Sequence, residues 1–126
     1  MTDFKDSLND FVNLCHGNAL KAGWWTDLDT MEKEKITQNL VLAKLCLCHG
    51  EISEAMEGYR KGLKDDHLPH RDMIEVELAD TFIRLADLAG LLELDLGGAV
   101  MEKIEYNKIR PDHKIENRLK EGGKKS

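Results

Sequence analysis

DMIEVELADTFIRLADLAGLLE, residues Asp72 to Glu93, is the stretch that decides the fold. Ile74, Val76, Leu78, Phe82, Ile83, Leu85, Leu88, Leu91 and Leu92 place apolar side chains around most of a helical circumference, which predicts a helix over about 72–93. A helix with almost no face left for water is expected at the centre of a helical domain. Into this stretch the chain sets Glu77, Asp80, Arg84 and Asp87, three or four residues apart. At about 100° per residue they share a sector of about 80°, and Leu88 and Leu91 point the same way. Carboxylates aimed at a core are costly unless a cation or a hydrogen-bond network compensates them.

The preceding stretch makes the same demand. A second helix is predicted over about Thr30 to Lys64, with Ile36, Leu40, Ala43 and Leu47 as its main stripe. The same steps of four and three continue to Glu51, Glu54 and Gly58, so the stripe carries two acids inward, one helical turn apart. Two acidic pairs on two neighbouring helices can hold a divalent cation, and magnesium, a hard ion that takes oxygen ligands, suits them best. The competing reading is a helical interaction module whose acids form a structural ionic network.

Around these two helices the pattern stays helical. Phe4, Leu8, Phe11, Val12, Cys15 and Ala19 predict a first helix over 3–21, and Gly23-Trp24-Trp25 breaks it. Residues 64–72, with Pro69, read as a loop; Asp95-Leu96-Gly97-Gly98 reads as a turn before a short helix over about Ala99 to Ile109, stopped by Pro111. No strand-type alternation is present. The expectation is an all-α fold with a four-helix-bundle core in a single domain over 1–114, followed by a flexible basic tail over 115–126.

Bulk properties exclude other classes. The chain has 126 residues, 41% of them hydrophobic and 33% charged, enough for one domain with a modest core. A net charge of −6 argues against nucleic acid or a membrane surface as a partner. No apolar run approaches the ~18 residues of a membrane span, and three cysteines without disulfide spacing suggest a cytoplasmic protein. Cys46-x-Cys48-His49 is too tightly spaced on a helix to converge on a metal, so packing is expected there. The apolar circumference of the third helix favours a dimer.

Two further groups complete the candidate site. Lys103, Asn107 and Arg110, four and three residues apart, set an ammonium, an amide and a guanidinium along one helical face, suited to polyphosphate oxygens. Trp24 and Trp25 either stack on a nucleobase or seal the end of the bundle, and His16 is a further candidate for base contact.

Taken in order, Gly23-Trp24-Trp25, His49-Gly50-Glu51-Ile52-Ser53-Glu54-Ala55, Glu77-Leu78-Ala79-Asp80-Thr81-Phe82-Ile83-Arg84, Asp87-Leu88-Ala89-Gly90 and Lys103-x-x-Tyr106-Asn107-x-x-Arg110-Pro111 resemble the MazG-like, all-α nucleoside triphosphate pyrophosphohydrolases. The resemblance covers about residues 23 to 114. It implies a four-helix core assembled as homodimers or dimers of dimers, and Mg²⁺-dependent cleavage (Mn²⁺ as substitute) of a (d)NTP to a monophosphate and pyrophosphate, as in nucleotide-pool control. It further implies Glu51, Glu54, Glu77 and Asp80 as metal ligands and Lys103, Asn107 and Arg110 as phosphate contacts. Glu54, Glu51 or Glu57 would accept the proton of the attacking water. A same-fold hydrolase of dUTP or phosphoribosyl-ATP is the neighbouring alternative.

Overall fold

The computed structural model describes residues 3–126; Met1 and Thr2, at the start of the expected domain, lie outside the described residues. The fold is all-α. Its elements are α1 (Phe4–Lys21), α2 (Gln38–Lys61), α3 (Met73–Leu91), α4 (Leu96–Ile109), a 3₁₀ turn at Pro111–His113 and α5 (Ile115–Arg118). Among the described residues no strand forms, only isolated bridges between Thr26 and Lys33 and between Lys64 and Asp72. No helix among them is long and apolar enough to cross a membrane.

The second helix is shorter than its pattern suggests. It begins at Gln38 because Thr37 caps it, its side chain accepting from the Leu40 N–H at 3.1 Å. Residues 30–37 are therefore loop, and Ile36 lies outside the helix, half exposed. At the other end Gly62 adopts φ 63° and its N–H returns to the carbonyls of Gly58 and Tyr59, closing the helix. The fourth helix is longer than expected: Asp95 caps it by accepting from Gly98 N at 2.9 Å, so Leu96, Gly97 and Gly98 form its first turn.

Two compact units make up the chain. In the unit Asp10–Leu94, α2 and α3 form an antiparallel hairpin. Gly58 faces Met73 at one end, where an added Cβ would come within 2.7 Å of the methionine side chain. Farther along, Glu51 meets Arg84. The inward stripe of α2 is Val41, Lys44, Cys48, Glu51, Ala55 and Gly58, all buried or half-buried. Small residues let the two backbones approach closely. Trp25, Leu88 and Leu91 form the apolar core, with Ala19, Leu40, Val41 and Leu92 against it. Phe11 of α1 stacks on Phe82 with ring centroids 4.7 Å apart.

The expected burial of α3 on all sides is not met within the chain. Its buried residues are Glu77, Thr81, Ala86, Leu88, Ala89 and Leu91, whereas Leu78, Phe82, Ile83 and Leu85 remain 40–53% exposed.

The other unit comprises Asp95–Ser126 and residues 3–9. Asn9 receives the Gly97 N–H at 2.8 Å and donates to Asp95 at 2.9 Å. Gly97 is required here, since a Cβ would fall 2.3 Å from the Lys5 carbonyl. Ile115–Arg118 forms one helical turn in the segment expected to fray, and Arg118 donates to the Lys124 and Lys125 carbonyls.

Candidate metal centre and adjoining cavity

The α2–α3 hairpin gathers three of the four expected acids. Glu51, Glu77 and Asp80 each offer a carboxylate oxygen, all within 4.8 Å of one another. Ligand oxygens of an octahedral Mg²⁺, on bonds of about 2.0–2.1 Å, stand about 3 Å apart when adjacent and about 4 Å apart when opposite, so these side chains would draw closer together on binding one ion.

Glu77 is the centre of the cluster. It is 8% exposed, and its Oε2 is buried with no hydrogen-bond partner among the described residues. Burial, reinforced by the carboxyls of Glu51 and Glu54, pushes its pKa up to about 8. Asp80 is raised too, by burial and then by the Glu51 charge. Glu51 moves the other way, lowered first by a hydrogen bond from the Glu77 carboxyl and further by Arg84. Arg84 Nε donates to Glu51 Oε1 at 2.9 Å, so one acid of the cluster carries an internal counter-charge. An orphaned carboxylate oxygen inside a set of hard oxygen donors fits a small divalent cation.

Glu54 differs from its expectation. It lies close enough to raise the Glu77 pKa, but it is exposed and stands outside the three-oxygen set. The inward stripe passes through Cys48, Glu51, Ala55 and Gly58, one position away from the line drawn through Leu40, Ala43 and Leu47. Glu57 is paired with Arg60 at 2.9 Å and with Lys61 at 2.6 Å.

Asp80 and Arg84 also line a cavity of about 560 Å³, whose walls include Phe11, Trp24, Trp25 and Lys44. Trp24 is 71% exposed and Trp25 only 3%. Trp25 Nε1 donates to Asp87 Oδ1 at 2.9 Å, and His16 Nδ1 meets the same oxygen at 2.9 Å. Lys44 Nζ sits 4.8 Å from the Trp25 ring centroid. His16 thus backs the wall, its ring 6.4 Å from that of Trp25, and does not line the cavity. Lys44 and Asp87 are cavity residues the sequence reading did not single out as ligand contacts. Their signal was present: 44 precedes Glu51 by seven residues, and 87 follows Asp80 by seven, which repeats a helical face.

Lys103, Asn107 and Arg110 belong to the other unit. Lys103 is exposed with Nζ 4.8 Å from the Tyr106 ring centroid, and Asn107 Oδ1 is buried with no hydrogen-bond partner among the described residues. Arg110 follows the last residue of α4 in an extended conformation, and its guanidinium binds Asp112 through two hydrogen bonds, 2.9 and 2.5 Å. That ion pair, absent from the sequence reading, raises the Arg110 pKa and lowers that of Asp112.

No protein-family model, curated protein or solved structure matches this chain. The likeness to the MazG-like enzymes therefore rests on the motifs alone.

Proposed function

We propose that this protein is a Mg²⁺-dependent nucleoside triphosphate pyrophosphohydrolase of the MazG-like kind, converting a (d)NTP to a (d)NMP and pyrophosphate. One observation carries the reading: three carboxylates converge within 4.8 Å around a buried, unpartnered Glu77 oxygen, beside a cavity walled by both tryptophans. Glu51, Glu77 and Asp80 would hold the ion, with Mn²⁺ as a substitute. When bound, Mg²⁺ neutralises triphosphate charge and lowers the pKa of a coordinated water.

The chain's own residues account for the rest. Glu54, exposed at the rim of the cluster and with no cationic partner among the described residues, accepts the proton of the attacking water. The Glu77 carboxyl and, after it, Arg84 favour the ionised form of Glu51. The tryptophan-walled cavity binds the base and excludes water around it. Lys103, Asn107 and Arg110 belong to the proposal only as the phosphate contacts that the resemblance implies. A homodimer completing a four-helix core and a cytoplasmic role in nucleotide-pool control belong to the same proposal.

A screen of canonical (d)NTPs, dUTP and phosphoribosyl-ATP with pyrophosphate detection, in Mg²⁺ and in EDTA, tests this reading. Mg²⁺-dependent pyrophosphate release that falls at least a hundredfold in Asp80→Ala is expected. Absence of turnover on every substrate would sink it. The Arg84–Glu51 ion pair favours one rival, a structural ionic network without catalysis. On that reading, Glu51→Gln costs stability and Mg²⁺ leaves the melting curve unchanged.

A further inference from the structure

The cavity beside the acidic cluster has a polar element that the proposed chemistry does not use. Asp87 lies on the wall of an otherwise largely apolar and aromatic space, its side chain 18% exposed. Its two oxygens are not equivalent. Oδ1 is taken by Trp25 Nε1–H and by His16 Nδ1, both at 2.9 Å. Among the described residues Oδ2 has no hydrogen-bond partner. The tryptophan and histidine fix the carboxylate plane, and the free oxygen remains for whatever enters the cavity.

We infer that Asp87 is the base-selecting residue of this site, accepting through Oδ2 from the exocyclic amino group of a cytosine-type or adenine-type base. The inference rests on the nucleotide reading above and names the substrate class within it. Its geometry follows from α3. Asp80, shared by the acidic cluster and the cavity, and Asp87 lie seven residues apart on one helical face, about 10 Å along the axis at about 1.5 Å per residue. A nucleotide whose phosphates lie at Asp80 can therefore set its base edge at Asp87, with the sugar between. A fixed carboxylate oxygen accepts but cannot donate. It matches the N4 or N6 amino group and repels the O4 carbonyl that uracil and thymine present in the same place. Buried polar groups built for one edge reject the analogue that leaves them unpaired. His16 acts through Asp87 as a positioning residue.

Deoxynucleoside monophosphates test this without hydrolysis, because they have no anhydride to cleave. The chain's two tryptophans both line the cavity, so quenching of their fluorescence reports occupancy. Wild-type protein should bind dCMP about tenfold more tightly than dUMP, the ratio given by about 1.4 kcal/mol. Asp87→Asn keeps an oxygen for Trp25 and turns the free position into an N–H donor; it should bring the ratio to about one or reverse it. The far-ultraviolet helical signal shows whether the variant is folded. Equal binding of dCMP and dUMP by the wild type, or an unchanged ratio in folded Asp87→Asn, overturns the inference. The two readings can fail separately: selective dCMP binding without triphosphate hydrolysis removes only the enzymatic proposal, and hydrolysis with a flat ratio removes only the role of Asp87.

Discussion

Glu77 shows how a single buried group links stability, pH and metal. In the unfolded chain its carboxyl titrates near its ordinary value of 4.5, and in the folded chain at about 8. Between those values the folded state retains a proton that the unfolded state releases, so stability falls as pH rises through that window. Asp80, raised as well, adds to the same slope. Glu51 is lowered, so its contribution is lost only in acid, below that window. In EDTA the melting temperature should therefore drop from about pH 5.5 to about pH 8.5. Because a divalent ion binds the deprotonated carboxylate, the stabilisation from millimolar Mg²⁺ should grow over the same range. Glu77→Gln, neutral at every pH, should flatten the slope and remove the Mg²⁺ effect. Thermal scans at three pH values, with and without the ion, check all of this. A melting temperature independent of both pH and Mg²⁺ would mean that the cluster is not a metal site.

At the scale of elements, the α2–α3 hairpin depends on a cap and on close approach. Thr37→Ala removes the oxygen that receives the Leu40 N–H and should cost about 1 kcal/mol in urea unfolding. Gly58→Ala pushes a Cβ to 2.7 Å from Met73 and should cost about 1–3 kcal/mol unless that flexible side chain turns aside. The sequence showed the helices plainly, because 3.6-residue periodicity and the Pro and Gly stops do not depend on tertiary context. It showed the facing of α2 less well. Leu40, Leu42, Leu45 and Leu47 lie on several sides of the helix, so large apolar residues alone leave its orientation open. The inward line is instead marked by the small residues Cys48, Ala55 and Gly58, which stand out less than the leucines in a hydropathy pattern. Glu51 lies on both lines; Glu54 lies on only one and is exposed, although its carboxyl still acts on those of Glu51 and Glu77. The Arg110–Asp112 and Asp87–Trp25 pairs depend on loop conformation and on contacts 62 residues apart, which no local pattern carries.

The whole chain leaves more apolar surface uncovered than a solitary helical domain of this size needs. Among the described residues the buried hydrophobic ones are few and mostly small, and no large side chain is fully buried. On α2, Ile52, Met56, Tyr59 and Leu63 continue one stripe at steps of four, three and four, into the turn that follows, with exposures of 47, 66, 74 and 42%. A stripe of this kind is the seam by which one helix packs against another, and an exposed apolar patch of several side chains marks an interface or an aggregation hazard. A second copy of the chain is always at hand and presents the same stripe, so a two-fold axis can pair the seams. Sedimentation equilibrium at micromolar concentration should therefore give at least twice the mass of the chain, 14.3 kDa. Met56→Glu, at the middle of the stripe and 66% exposed, should shift the protein to monomer and lower its concentration-dependent melting temperature by several degrees. It should leave the α2–α3 hairpin's own helical signal intact. A wild-type protein that sediments as a monomer, with a melting temperature independent of concentration, would leave the stripe a plain solvent-facing surface.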